Sequence, residues 1–240
     1  MPPRLFSDRL LTAGATFALP AGPARHVQVL RLQPGAALTL FDGTGGEFAA
    51  TVVQMGRSEV TVQLGARSEA DRELPFRVTL ALGMPANERM DTLVEKATEL
   101  GASAIQPLLC ERSVLRLAGE RAHKKVAHWQ AVALAACEQS GRTRVPVVGP
   151  VCTLPQWLRE RPAQAMSRWM LGFHAARPVG AMTVAPAGVV CLSGPEGGLS
   201  PDEEAAARAA GFAAVSLGPR VLRADTAPLA LLAHLALAGA

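Results

Sequence analysis

Residues 191–204 of the chain read CLSGPEGGLSPDEE. An apolar run ends at Ser193, and Gly194, Pro195, Gly197 and Gly198 crowd the next five positions before a helix begins. The start of that helix is well marked: Ser200 suits the N-cap, Pro201 the first helical position, and Glu203 the capping-box position three residues after the cap. The loop is therefore a strand-to-helix connection at the carboxyl end of a strand, which is where open α/β sheets bind ligands. Glycines crowded into such a loop mean either a tight turn or a backbone that something approaches closely. It is not a Walker loop, because no Lys-Ser/Thr pair follows the glycines, and it is not G-x-G-x-x-G. The segment GTGGEF at 43–48 fails the same test.

A second loop tips the reading toward a site. LGPRVLRADTAP, residues 217–228, again joins an apolar strand to a helix and again begins Gly-Pro. Asp225 or Thr226 is available to cap the last helix. Arg220 and Arg223 are more cation than capping needs.

Working outward, strands and helices alternate from Phe76 onward. FRVTLALGM, AIQPLLC, SRWMLGF, AGVVCLS and FAAVSLG read as strands. NERMDTLVEKATELG, ERAHKKVAHWQAVALAACEQSG, SPDEEAAARAAG and TAPLALLAHLALA read as helices. That alternation predicts an α/β domain with a largely parallel sheet over residues 73–240. Before it the period changes to two: Leu38 and Leu40, then Val60, Val62 and Leu64, alternate with polar partners between the turns DGTGG and MGRS. Residues 1–72 are read as a small antiparallel sheet or barrel, with one helix in PARHVQVLRLQPG closed by Pro34 and Gly35. Two domains are expected.

Composition narrows the function classes. At 240 residues and 49% hydrophobic the chain builds a real core. No apolar run approaches the ~20 residues of a membrane span, and MPPRLFSDRL lacks the order of a signal peptide, so a cytoplasmic protein is expected. Cys110, Cys137, Cys152 and Cys191 are scattered among apolar neighbours without a C-x-x-C pair, and the five histidines show no close pairing. No metal is expected. The net charge of +4 suits an anionic partner, while the absence of tyrosine argues against a surface that stacks many bases.

The pairing of GPEGGLSPDE with LGPRVLRADTA, preceded by PRLF, RHVQVLRL, MDTLVEKATELG, ERSV and ACEQSGRTRVP, resembles the bacterial 16S rRNA (uracil-N3) methyltransferases of the SPOUT superfamily. The resemblance covers nearly the whole chain. It implies a PUA-like RNA-binding β-barrel domain over 1–72 and, over 73–240, a trefoil-knotted domain that binds S-adenosylmethionine and dimerises. The implied substrate is a uridine of 16S rRNA on the assembled small ribosomal subunit, and the implied assembly is a homodimer. Within the family, cofactor contacts fall on Leu171, Gly172 and His174, on Leu192, Gly194, Pro195, Glu196 and Gly197, and on Leu217, Gly218, Arg220, Val221 and Leu222. One departure stands out: the family's Thr-Glu-Thr-Ala is Ala-Asp-Thr-Ala at 224–227, which shortens the carboxylate at Asp225 by a methylene.

The chemistry so implied needs stabilisation of negative charge on the uracil ring oxygens, which suits Arg220 and Arg223. Both suit phosphate or a neighbouring carboxylate equally well. Glu196 either accepts a proton or orients the loop by binding backbone amides. Arg4, Arg9, Arg25 and Arg31 give the small domain basic character suited to phosphate; Arg112 and Arg142 are further candidates to face RNA, whereas Arg144 complements a helix C-terminus. A methyltransferase for another RNA, or a catalytically silent RNA-binding assembly factor that kept the fold, are the competing readings.

Overall fold

A computed structural model describes residues 2–56, 59–160, 165–174 and 176–238. The chain divides into two compact units: Met1–Glu73 with Cys137–Val145, and Leu74–Ala136 with Pro146–Ala240.

The first unit is built on five strands, β1 (Arg4–Phe6), β2 (Thr16–Ala18), β3 (Ala37–Phe41), β4 (Glu47–Met55) and β5 (Val60–Ser68), in the order β1-β3-β4-β5-β2. The long β4–β5 pair and its neighbours are antiparallel, as period two predicts, but β1 joins β3 in parallel. The alternation sends Leu38, Leu40, Ala50, Val52, Val60, Val62 and Leu64 into one apolar cluster. Helix α1 (Ala21–Val29) closes it with Ala24 and Val27. This helix stops earlier than Pro34 and Gly35 suggest. Arg31 adopts a left-handed backbone, φ 53°, and the Leu32 amide turns back to the Val27 carbonyl at 3.2 Å, which ends the helix.

The second unit carries a parallel sheet of eight strands. In chain order these are β6 (Val78–Gly83), β7 (Ala104–Leu109), β8 (Val147–Val148), β9 (Cys152–Thr153), β10 (Ser167–Leu171), β11 (Arg177–Pro178), β12 (Val189–Ser193) and β13 (Ala213–Ser216). They lie in the order β11-β13-β10-β12-β6-β7-β8, with β9 also on β7, and every pairing is parallel. The connecting helices are α2 (Asn87–Glu99), α3 (Gly119–Ser140), α4 (Leu154–Glu160), α5 (Pro201–Ala209) and α6 (Thr226–Ala238).

Helices cover both faces, which is why the central strand β12 is buried at all five positions. Val189 and Cys191 point to one side, into a cluster with Met90, Leu93, Trp129, Leu231 and Leu232. Val190 and Leu192 point to the other, with Leu154, Ala207 and Phe212. Trp129, fully buried, donates its ring N–H to Asp91 Oδ1 at 2.8 Å, and His128 meets the other oxygen of that carboxylate at 2.9 Å. Because all eight strands run the same way, their carboxyl ends share one edge. Among the loops that begin there are the GPEGG loop after β12, the loop 217–224 after β13 and the loop 172–174 after β10.

Candidate active site

Those three loops enclose a cavity of about 800 Å³. Its apolar wall includes Leu171, Val215, Leu217 and Leu222, and its polar groups include Glu196, Glu204, Arg89, Arg112, Arg220 and Arg223.

Packing dictates the path of the GPEGG loop. A Cβ on Gly83, the last residue of β6, would lie 2.5 Å from Pro195 Cδ, 2.6 Å from Pro195 N and 3.0 Å from Cys110 Sγ. Glycine at 83 is thus what lets the loop lie against the sheet. At Gly194 an added Cβ would meet the Leu199 amide nitrogen at 2.8 Å, so the loop also folds closely on itself.

Polar contacts then fix it. Glu196 Oε1 accepts the Ala86 amide at 3.0 Å and pairs with Arg89 at 3.5 Å. Arg112 Nη1 donates to the carbonyls of Gly197 at 3.0 Å and Leu199 at 3.3 Å. At the start of α5 the capping box forms as the sequence predicts, with Ser200 Oγ accepting the Glu203 amide. The Glu203 carboxylate accepts the amides of Ser200 at 2.9 Å and Glu111 at 2.8 Å. Cys110 nearby is no nucleophile: burial, then the Glu203 charge, pushes its thiol up to about 12. The loop after β10 is held by the Gly172 amide on the Val215 carbonyl at 3.1 Å and by Arg208 on the His174 carbonyl at 3.0 Å.

Arg220 and Arg223 differ from these structural arginines. Both are exposed, both line the cavity, and neither guanidinium has a hydrogen-bond or ion-pair partner among the described residues. Asp225 accepts from the neighbouring Thr226 hydroxyl at 3.4 Å and is not among the lining residues.

Most of the expected site residues converge here: Leu171, Gly172, His174, Gly194, Pro195, Glu196, Leu217, Arg220, Val221, Leu222 and Arg223 all line the cavity. Leu192 does not. It is fully buried on the far face of β12, because alternate residues of a strand point to opposite sides. Gly197 and Gly218 also lie off the wall; a Cβ on Gly197 would press on Arg112 Cβ at 3.0 Å.

The expected RNA contacts fare unevenly. The side chains of Arg4 and Arg142 are engaged within the first unit. Arg4 is a buried cation paired with Glu47 and donates to the carbonyls of Gly141 at 3.1 Å and Arg142 at 3.2 Å. Arg142 is 3% exposed and binds Glu73 through two nitrogens, whereas Arg144, the one read as a plain helix-end charge, is exposed. Arg112 is occupied by the GPEGG loop. Arg9, Arg25 and Arg31 remain exposed, with Arg9 over the Phe17 ring at 4.8 Å.

Sequence reasoning missed Arg89, Phe173 and Glu204 on the cavity wall. The signal for Arg89 was present, since NERMD follows the carboxyl end of β6 on the ligand-binding edge of the sheet.

A family model described as the RNA methyltransferase domain matches residues 72–236, and one described as the RNA methyltransferase PUA domain matches residues 24–65. The chain is 35% identical to a ribosomal RNA small subunit methyltransferase E from Synechocystis, over 92% of this chain and 73% of that one. It is 36% identical to the protein of the same name from Mycobacterium bovis, over 92% and 86%. Among solved structures, a ribosomal RNA small subunit methyltransferase E from Neisseria gonorrhoeae bound to S-adenosyl methionine superimposes with a TM-score of 0.93 at 37% identity, over 98% of this chain and 97% of that one. A Legionella pneumophila protein in complex with the cofactor SAM gives 0.94 at 33%, over 100% and 98%. A domain match across most of the chain and relatives alike along nearly their whole length agree with the three-loop site: the chain belongs to the RNA methyltransferase family.

Proposed function

We propose that this protein uses S-adenosylmethionine to methylate N3 of a specific uridine in 16S rRNA, on the assembled small ribosomal subunit. The observation that carries the proposal is the cavity at the carboxyl edge of the sheet, with two arginines on its wall whose guanidinium groups have no partner among the described residues. The residues present suit the cofactor. About 800 Å³ is ample for a nucleoside-sized ligand. At Gly172 and Gly198, both on the wall, an added Cβ meets nothing within 4 Å, so room a side chain would take is left to a ligand. Leu171, Val215, Leu217 and Leu222 offer an apolar slot for a base, and Glu196 and Glu204 offer carboxylates for a cationic group.

When bound, the cofactor supplies an electrophilic methyl group on a sulfonium sulfur. The protein's part is to orient and to stabilise. The uracil imide is a weak acid, and passing its N3 proton to water leaves negative charge shared by the ring oxygens. Arg220 and Arg223 lie free to stabilise that charge. Glu196, engaged with the Ala86 amide and Arg89, holds the loop that shapes the cavity. The first unit, matched by the PUA description, brings RNA to the site through exposed Arg9, Arg25 and Arg31. A cytoplasmic homodimer and a trefoil-knotted second unit belong to the same proposal. The Asp225 carboxylate plays no direct part in it.

The test is transfer of tritium from labelled S-adenosylmethionine to small subunits taken from a strain lacking the protein, followed by nucleoside analysis. Label in N3-methyluridine is the expected result. Label in another nucleoside overturns the uridine assignment, and cofactor binding without transfer points to a silent RNA-binding factor.

A further inference from the structure

The second unit leaves one aromatic side chain in an unusual place. Among the described residues Phe173 is the only phenylalanine or tryptophan with more than half its surface exposed, at 55%, in a chain that has no tyrosine. It lines the cavity. The residues on either side of it are tied down, Gly172 through its amide to Val215 and His174 through its carbonyl to Arg208, so the ring is presented from an anchored loop. Val221, 83% exposed, lines the same cavity, beside the free guanidinium groups of Arg220 and Arg223. Two apolar side chains held out to water at the edge of a site that also carries unpartnered cations suit a flat, partly polar and anionic ligand.

From this juxtaposition we infer that the cavity mouth is a subsite for an extruded pyrimidine base, which stacks on Phe173 and packs against Val221 while Arg220 and Arg223 hold its oxygens or the adjoining phosphate. The inference rests on the RNA methylation proposed above and deepens it. N3 lies on the pairing edge of uracil, so an enzyme reaches it only on an unpaired base or one swung out of its stack. An unstacked base needs a new partner for its faces, and an aromatic ring provides one. The scarcity of other exposed aromatics limits this stacking to a single base rather than a run of single strand.

Two measurements on the full-length protein test this. In the first, fluorescence anisotropy compares a labelled decauridylate with an abasic strand of the same length, at one salt concentration. The wild type should prefer the base-bearing strand. F173A should lose about 5- to 150-fold of that preference, the range to which base–aromatic stacking converts at 25 °C, while F173Y retains it. Far-UV circular dichroism and the urea midpoint of tryptophan fluorescence should be the same for all three, which verifies their fold. In the second, sedimentation velocity compares wild type and F173A. No preference in the wild type, an unchanged preference in F173A, or loss of a wild-type dimer in F173A would each overturn the inference, the last by placing Phe173 in a subunit interface. A retained preference in a protein that transfers no methyl group to small subunits would sink the methylation proposal and leave the base subsite standing.

Discussion

Gly83→Ala probes the contact that seats the GPEGG loop. The new methyl carbon would sit 2.5 and 2.6 Å from two atoms of Pro195, where ordinary contact begins near 3.4 Å. Cys110 Sγ stands at 3.0 Å as well, and Cys110 is 2% exposed, so the surroundings have little room to give. Pro195 must therefore move by about 1 Å in a close-packed interior. Overpacking of this kind costs about 1–3 kcal/mol. All three tryptophans, Trp129, Trp157 and Trp169, belong to the second unit, so their fluorescence in urea follows the unfolding of that unit. With a slope of about 2 kcal/mol/M, the midpoint should fall by about 0.5–1.5 M. The functional effect should be larger than the loss of stability suggests, because a shift of about 1 Å in a positioning loop costs up to ~100-fold. Calorimetric titration should show S-adenosylmethionine bound at least ~10-fold more weakly. An unchanged urea midpoint together with cofactor affinity within about twofold of wild type would refute the reasoning, since the loop would then have absorbed the methyl group without moving the site.

Other perturbations follow from the same contacts. Arg142→Ala strands the Glu73 carboxylate, whose side chain is 14% exposed, and should destabilise the first unit by about 3 kcal/mol in amide hydrogen exchange, with RNA affinity of the folded variant unchanged; a selective loss of RNA binding would restore Arg142 as a contact. Burial would raise the Glu47 carboxyl, but hydrogen bonds from Arg72 and Arg4 outweigh it and hold the group below the ordinary value of 4.5. Its contribution is thus complete above pH 4.5 and is lost as pH falls through the depressed folded value. Calorimetric melting of Glu47→Gln should accordingly depend less on pH in that acid range than the wild type does, and parallel curves would contradict the pairing. Burial pushes Cys110 and Cys137 up to about 12 and Cys191 higher still. An aromatic disulfide reagent at pH 8 should therefore label the less buried Cys152 first, and equal labelling of Cys191 in the native protein would be inconsistent with this core.

The strongly periodic elements were legible because burial on known faces imposes the period. That holds for β3, β5, α2, α3 and the alternating strands and helices that end in α6. The candidate site was legible where a loop leaves the carboxyl end of a strand carrying glycine or unneeded charge, as at 194–198 and 217–223. Legibility failed where tertiary geometry decides. Helix α4 and strands β8, β9 and β11 are too short to establish a period. Arg4 and Arg142 look like surface cations in one dimension, and only the folded chain brings Glu47 and Glu73 to them. Leu192 lies off the cavity wall for a simpler reason. It adjoins the loop in sequence, yet the pleat sends it to the opposite face of β12.

Segment 137–145 belongs with the first 73 residues, and this governs how the protein can be taken apart or recombined. Glu138 accepts the Phe6 amide at 2.8 Å, Thr143 donates to the Ala70 carbonyl at 3.3 Å, and Arg142 neutralises Glu73. A fragment ending at Glu73 would leave all three without partners, and one starting at Leu74 would carry groups made to satisfy a chain no longer attached. Neither unit is a segment that can be cut out whole. A chimera that exchanges the amino-terminal region for that of a relative must exchange residues 137–145 with it, because the two stretches form one structural module interrupted by the start of the other.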